Sequence, residues 1–336
     1  MNTRLFIRIP ELTLLIVLVA GSYLAMTIFA ELPSTEVLSG RFIVGIIVAS
    51  FLLSTAIAVV AVIAGVGGGV LFTPVMMGFT SIDTLIIRAT GLVVAMFSGL
   101  ISTGPFMRRG LADVKIVYFC SVPIAVGALS GAYSAVVLAE YMGETGDAIV
   151  RLLLGLILVF IAVMFIVGGA KTEYPEIKKR DRFAEMIGLR GAYWEDSLRD
   201  RVDYGATRSV LGFLLFTLVG FTGGFFGLGG GWAVVPVLNM VMMVPLKVSA
   251  ACSGVLLAIG NAVAIWPYIL FGSLLSLFVV PWMLGQVIGG IMGAHILARI
   301  KAGFVRKVLI VLIFATSIKL VVRGVEGLFG VDLPLF

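Results

Sequence analysis

A chain of 336 residues that is 60% hydrophobic and 12% charged is too apolar for a soluble domain, where about 45 to 50% apolar residues is usual, and it reads as a polytopic membrane protein. The formal charge of +6 would suggest a nucleic-acid partner in a soluble protein, but Lys and Arg sit mainly between apolar runs, where they orient the segments, so no nucleic-acid binding is expected. Cys120 and Cys252 lie in apolar runs without CxxC spacing, which leaves neither a disulfide framework nor a metal site, and both read as core packing.

The N-terminus places Arg4 and Arg8 before an apolar run at 12–30. This run is longer than the apolar stretch of a signal peptide, and Ile28-Phe29-Ala30 is a poor small-x-small cleavage site, so residues 1–41 are expected to form an extra N-terminal transmembrane helix. Further apolar runs follow at 42–64, 70–79, 84–103, 114–139 and 149–169, then at 209–221, 232–244, 248–271, 274–298 and 307–322. Most reach the roughly 20 residues that a crossing needs, but 70–79 and 232–244 do not. Both short runs directly follow a glycine cluster.

That cluster occurs twice, as Gly65-Val66-Gly67-Gly68-Gly69 with Pro74 and as Gly227-Leu228-Gly229-Gly230-Gly231 with Pro236, at an offset of 162 residues. No Lys follows either copy and no acidic residue stands at ribose distance, which removes the nucleotide-cradle readings of a glycine-rich loop. Consecutive glycines do not continue a stable helix, since each costs about 1 kcal/mol relative to Ala. In hydrocarbon a freed backbone must be buried in protein or line a wet cavity, so each copy is expected to interrupt a membrane helix.

With Lys and Arg marking the cytoplasmic side, the N-terminus lies inside, Glu31 and Glu36 outside, Arg108, Arg109 and Lys115 inside, and Glu140, Glu144 and Asp147 outside. The charged loop 171–208 is inside, the uncharged Gly272-Ser273 turn outside, and Arg299, Lys301, Arg306 and Lys307 inside. Repeat 1 at 42–170 and repeat 2 at 209–323 therefore have opposite topology, followed by a tail at 324–336. The expected fold is all-α, with two inverted-topology repeats, broken or re-entrant glycine-rich helices and about seven full transmembrane helices. Residues 42–64 are long enough to span alone or to form half of a re-entrant hairpin. The loop 171–208 mixes both charge signs and reads as a short amphipathic helix on the inner membrane face.

Duplication shows elsewhere. Thr90-Gly91 corresponds to Ser253-Gly254 and Ser98 to Asn261 at an offset of 163, while Gly127 and Gly131 match Gly289 and Gly293 at 162. The last four have the small-xxx-small spacing of close helix packing.

Inverted repeats with interrupted helices are the plan of many secondary transporters, with the site at mid-membrane between the repeats. Half-helices starting after Gly69 and Gly231 would each aim roughly +0.5 of a charge at that site, which suits an anion. Away from their ends the runs hold almost no charged residue, so neither a carboxylate relay for protons nor a buried Arg clamp is expected. The candidate substrate-binding residues are Gly67, Gly68, Gly69, Thr73, Thr90 and Ser98 in the first half. In the second half they are Gly229, Gly230, Gly231, Trp232, Ser253 and Asn261. Ser102 and Ser249 are weaker candidates, and every such hydroxyl competes with a bond to its own helix backbone. Thr90 with Ser253 and Ser98 with Asn261 stand out because they correspond between halves. His295 reads as a structural hydrogen-bonding residue, and Trp266 and Trp282 as interfacial belt residues. One His and two scattered Cys give no constellation for an enzyme, and no cofactor is expected.

The paired Gly-x-Gly-Gly-Gly-x-x-x-x-Pro motifs, the Thr/Ser-Gly segments and the turn Arg108-Arg109-Gly110-Leu111-Ala112-Asp113 together resemble the TauE/SafE family of sulfite and organosulfonate exporters over about residues 42–323. The resemblance implies a multi-pass inner-membrane carrier whose partners are the lipid bilayer and a small sulfur-containing anion such as sulfite, thiosulfate or sulfoacetate. Export needs no coupling ion, because moving one negative charge out of a negative interior gains about 2.3 kcal/mol per 100 mV. The alternatives are an H⁺- or Na⁺-coupled importer of the same anions and a membrane structural or receptor protein.

Overall fold

The computed structural model describes residues 40–64, 67–108, 110–167, 181–195, 199–297 and 302–330. The expected N-terminal helix at 12–30, the basic residues Arg109, Arg299 and Lys301, and the end of the tail lie outside the described residues. What is described is an apolar helical assembly with one small hairpin.

Helix α1 (Gly40–Ala64) runs for 25 residues, which is enough to cross a bilayer alone. After the first glycine cluster, α2 (Gly68–Phe79) is only 12 residues, about 18 Å of helix and so roughly half a crossing. Next comes α3 (Thr84–Arg108), again of full length. The run α4 (Val114–Val167) has 54 residues, about 80 Å if straight, and no bilayer accommodates that. It breaks at Gly143, whose φ of 51° and ψ of −126° lie outside the helical region that side-chain-bearing residues prefer. Beyond this point the chain doubles back, so that a Cβ on Gly146 would stand 3.0 Å from Leu138 O, two turns earlier.

The second half contains α6 (Ser209–Phe226), the short α7 (Gly231–Pro236), α8 (Leu246–Leu270), α9 (Ser276–Leu297) and α10 (Ala302–Phe329), after the small α5 (Arg182–Met186). Pro236 ends α7, and a π-helical turn at Val237–Val241 follows it. A proline ring crowds the carbonyl four residues back, and a widened turn relieves that crowding. Six helices among the described residues, with α4 counted once, are long and apolar enough to cross a membrane.

Packing follows the repeat offset. The first arm of α4 lies parallel to α6: Gly220 faces Ile124 and Ala128, Gly224 faces Ala128, and Gly127 and Gly131 face Thr217 and Phe221. In the same manner α9 lies parallel to α1, with Gly285 on Ser54, Gly289 on Thr55 and Ala58, and Gly293 on Val59 and Val62. Adding 162 to Thr55 and Val59 gives Thr217 and Phe221, so the two interfaces correspond residue by residue. These glycines are packing residues, since a side chain there would strike the neighbouring backbone.

Two further interfaces join equivalent helices and are antiparallel. On α3, Gly99 meets Gly254 and Leu257 of α8, whereas Ala89 and Leu92 cluster with Ala264 and Tyr268. On the second arm of α4, Gly155 meets Ser317 and Val321 of α10, while Leu152 meets Gly324 and Ala148 meets Gly327.

The charged loop is not the amphipathic helix expected from its mixed charges. From residue 181 it forms α5 and an antiparallel hairpin, β1 (Arg190–Glu195) with β2 (Asp200–Gly205), pairing Tyr193 with Val202 and Trp194 with Arg201. The hairpin wins because alternate residues find a core: Tyr193 and Glu195 are buried and Trp194 between them is exposed. Leu189, Tyr193 and Ala206 join a cluster that includes Ile116, Phe216 and Val248 from the helix ends. Tyr204 Oη donates to Asp113 Oδ2 at 2.8 Å, and Lys247 Nζ donates to the buried Glu195 at 2.6 Å. Burial and the bond to Asp113 push the Tyr204 phenol above its usual pKa, so it stays neutral and remains a donor. Thr207 N donates to Met242 O at 2.9 Å, so the stretch of α6, the glycine break and α7 leaves and returns to one level.

Candidate functional site

The two breaks meet. Gly67 caps α2 in an extended conformation, and a Cβ on Gly231 would stand 3.2 Å from Gly67 N. Ala95 of α3 fits between the breaks, 2.8 Å from a Cβ on Gly69 and 2.7 Å from one on Gly229. Leu228 O would lie 2.6 Å from a Cβ on Gly69. Side chains are excluded by space as well as by conformation: Gly227 has φ +67° and rests on the Arg88 backbone, and Gly229 has φ +63°.

Around the α2 N-terminus the polar groups come from three helices. Gly68 N donates to Ser98 Oγ of α3 at 3.0 Å. Gln286 of α9, fully buried, sets its side-chain oxygen against Gly68 and donates from Nε2 to Ser54 O and Ser54 Oγ of α1, each at 3.2 Å. Ser54 Oγ in turn donates to Trp282 O at 2.5 Å. Gln286 Oε1 has no partner among the described residues. Around the second break Asn261 of α8 stands with Nδ2 3.1 Å from a Cβ on Gly229, and Nδ2 likewise lacks a partner among the described residues. Trp232, next to Gly231, has a buried Nε1 in the same condition. Buried polar atoms without partners are few in native proteins, and here three border the breaks.

The remaining sequence candidates hold the frame. Thr73 Oγ1 donates to Gly227 O at 2.8 Å and ties α2 to the end of α6, with Gly91 leaving room for the contact. Thr90 and Ser253 donate to Ile86 O and Ala250 O of their own helices, and Ser249 to Val244 O. Gly69 and Gly230 are buried by Ala95 and by Val219 with Val234 and Ile124 respectively. The side chains of Ser102 and His295 lie outside the described residues.

Two expectations are corrected. Trp282 is 1% exposed and packs edge-on to Phe72 with centroids 4.5 Å apart, so it belongs to the core beside α2 and not to an interfacial belt; Trp266 is exposed. A buried arginine also exists. Arg88 is fully buried near the start of α3 and donates to Thr84 O at 3.2 Å, to Thr84 Oγ1 at 3.0 Å and to Phe225 O at 3.4 Å, with Asp147 at 3.9 Å. It grips the Phe225 carbonyl near the C-terminus of α6, where a cation complements the helix dipole, and Tyr268 Oη joins it by donating to Gly224 O at 2.9 Å. Arg88 thus secures the second break from outside the site.

Gln286 and Ser54 were not found in the sequence. Gln286 is the only glutamine of the chain and sits within an apolar run, which is the signal that marks an intramembrane polar residue as functional. Ser54 carries no such mark.

The family model described as Sulfite exporter TauE/SafE matches residues 49–320. A protein of Bacillus subtilis (strain 168) named Probable membrane transporter protein YunE is similar, with 23% identity over 268 residues that cover 78% of this chain and 92% of that protein. No solved structure matches the chain.

Proposed function

Because the chain belongs to the sulfite exporter TauE/SafE family, we propose that it is a multi-pass membrane transporter that carries small sulfur-containing anions, such as sulfite, thiosulfate or organosulfonates, outward across the inner membrane. The observation that carries this reading is the contact of Gly67 with Gly231, which brings the N-terminus of α2 and unpartnered polar atoms together among buried residues. A helix N-terminus carries positive potential, Asn261 Nδ2 and Trp232 Nε1 are buried donors, and a negative solute supplies the acceptor that these donors lack. The exchange of interfaces between the halves, with α3 antiparallel to α8, supports an inverted repeat whose axis lies in the membrane plane. In that frame the N-terminus and the β1–β2 hairpin face the cytoplasm.

No carboxylate borders the breaks among the described residues, and a membrane potential that is negative inside drives the anion outward without a proton relay. Proteoliposomes loaded with labelled sulfite test this. A positive potential on the receiving side should accelerate efflux with no proton or Na⁺ gradient. Flux that stays zero until such a gradient is imposed would establish ion-coupled import instead.

A further inference from the structure

The orientation of one side chain narrows the ligand. Gln286 Nε2 lies 3.2 Å from both Ser54 O and Ser54 Oγ. Ser54 O is a carbonyl and only accepts; Ser54 Oγ has committed its proton to Trp282 O and here also accepts. Both positions demand a donor, so the amide nitrogen must face Ser54 and the oxygen Oε1 must face Gly68. Gly68 N is already spent on Ser98 Oγ. A buried acceptor is therefore fixed at the mouth of a helix N-terminus that otherwise presents only donors, and no group among the described residues satisfies it. At the other break the position matching Gln286 at the 162 offset is Ile124, whose side chain lies against Gly230, so the acceptor stands on one side only.

A bare oxyanion would be repelled by that oxygen. We infer that the site takes a monoanion that also carries a hydrogen-bond donor, an oxyanion head bearing an O–H or N–H group, with the head toward the amides and Asn261 and the donor on Gln286 Oε1. This rests on the anion-carrier reading above. Hydrogensulfite and hydroxyl- or amide-bearing sulfonates have this chemistry; fully deprotonated sulfite and plain alkylsulfonates do not. Burying an acceptor without its donor is the costly case, which makes a single oxygen an effective discriminator.

Calorimetric titration of the full-length protein in lipid nanodiscs, in Na⁺-free buffer, reads this directly with 2-hydroxyethanesulfonate and propane-1-sulfonate. The two have equal charge and nearly equal shape, and only the first carries a donor. The hydroxyl compound should bind about tenfold to hundredfold more tightly. Gln286→Leu and Gln286→Met should remove the preference, weakening the hydroxyl compound and relieving the propyl one; the wild-type comparison stands by itself should neither variant fold. Equal affinities in the wild type overturn the inference and leave the anion reading intact. Binding that appears only with added Na⁺ also overturns it, because Oε1 then serves a cation. Absence of binding by both sulfonates and by sulfite overturns the carrier reading itself.

Discussion

Gly68 has no room for any side chain: a Cβ there runs into Gln286 Oε1 and comes 3.0 Å from Gln286 Cδ and 3.3 Å from Ser98 Cβ. The glycine therefore lets the Gln286 oxygen approach the start of α2, beside the amide that donates to Ser98 Oγ. Replacing it should separate function from folding. Gly68→Leu is expected to abolish sulfite binding and flux, with overpacking costing about 1–3 kcal/mol of stability and insertion preserved; flux and thermal unfolding measured on the same preparation check both parts. Normal flux in this variant would contradict the assignment of the break as the site. The glycines were legible because they repeat at a fixed offset, and a repeat needs no knowledge of the fold. Ser54 was not, since its importance lies in a partner 232 positions away that only the packed α1–α9 pair brings near. Thr90 and Ser253 show the converse, for equal positions in two halves can be equal in bonding their own helices.

At the scale of elements, the interrupted helices are secured from both ends. The Arg88 grip and the Tyr268 bond hold the end of α6, and Thr73 ties α2 across to Gly227. Arg88 escaped the sequence reading because four residues from a helix start looks peripheral, yet α3 packs so that this turn points into the protein. The hairpin escaped for another reason: two six-residue strands rich in charge have too little alternation to outweigh a mixed-charge helix until the helix ends beneath them provide a core.

Its base is pinned by Asp181, which accepts from the Ser209 hydroxyl and amide at 2.6 Å and from the Phe183 and Ala184 amides. Partial burial pushes this carboxyl up, and the bonds from Ser209, Ala184 and Phe183 outweigh it, so its pKa lies below the usual carboxylate value. A carboxyl with a depressed folded pKa stabilises above the unfolded pKa and loses that contribution as pH falls through the folded one. Acidification from about pH 4 downward should therefore loosen the hairpin, seen as faster hydrogen exchange at its β1 and β2 amides. Ser209→Ala should move the onset to higher pH; an unchanged onset would remove Asp181 as the pin.

For the whole molecule, the informative fact is that helices cross-pair between halves: α1 with α9, α6 with the first arm of α4, and α3 with α8 as equivalents. Neither half buries its own surfaces alone, so the two glycine breaks are brought together by the same contacts that make the fold. Composition made the membrane class legible, whereas the exchange of partners is a property of packing that no single run displays. The central claim is that an anion sits where the breaks meet. Anomalous diffraction from crystals soaked in selenite, the heavier analogue of sulfite, locates it directly. The account predicts a selenium peak among Gly68, Gly229 and Gln286; a well-occupied peak elsewhere in the protein, with none between the breaks, would contradict it.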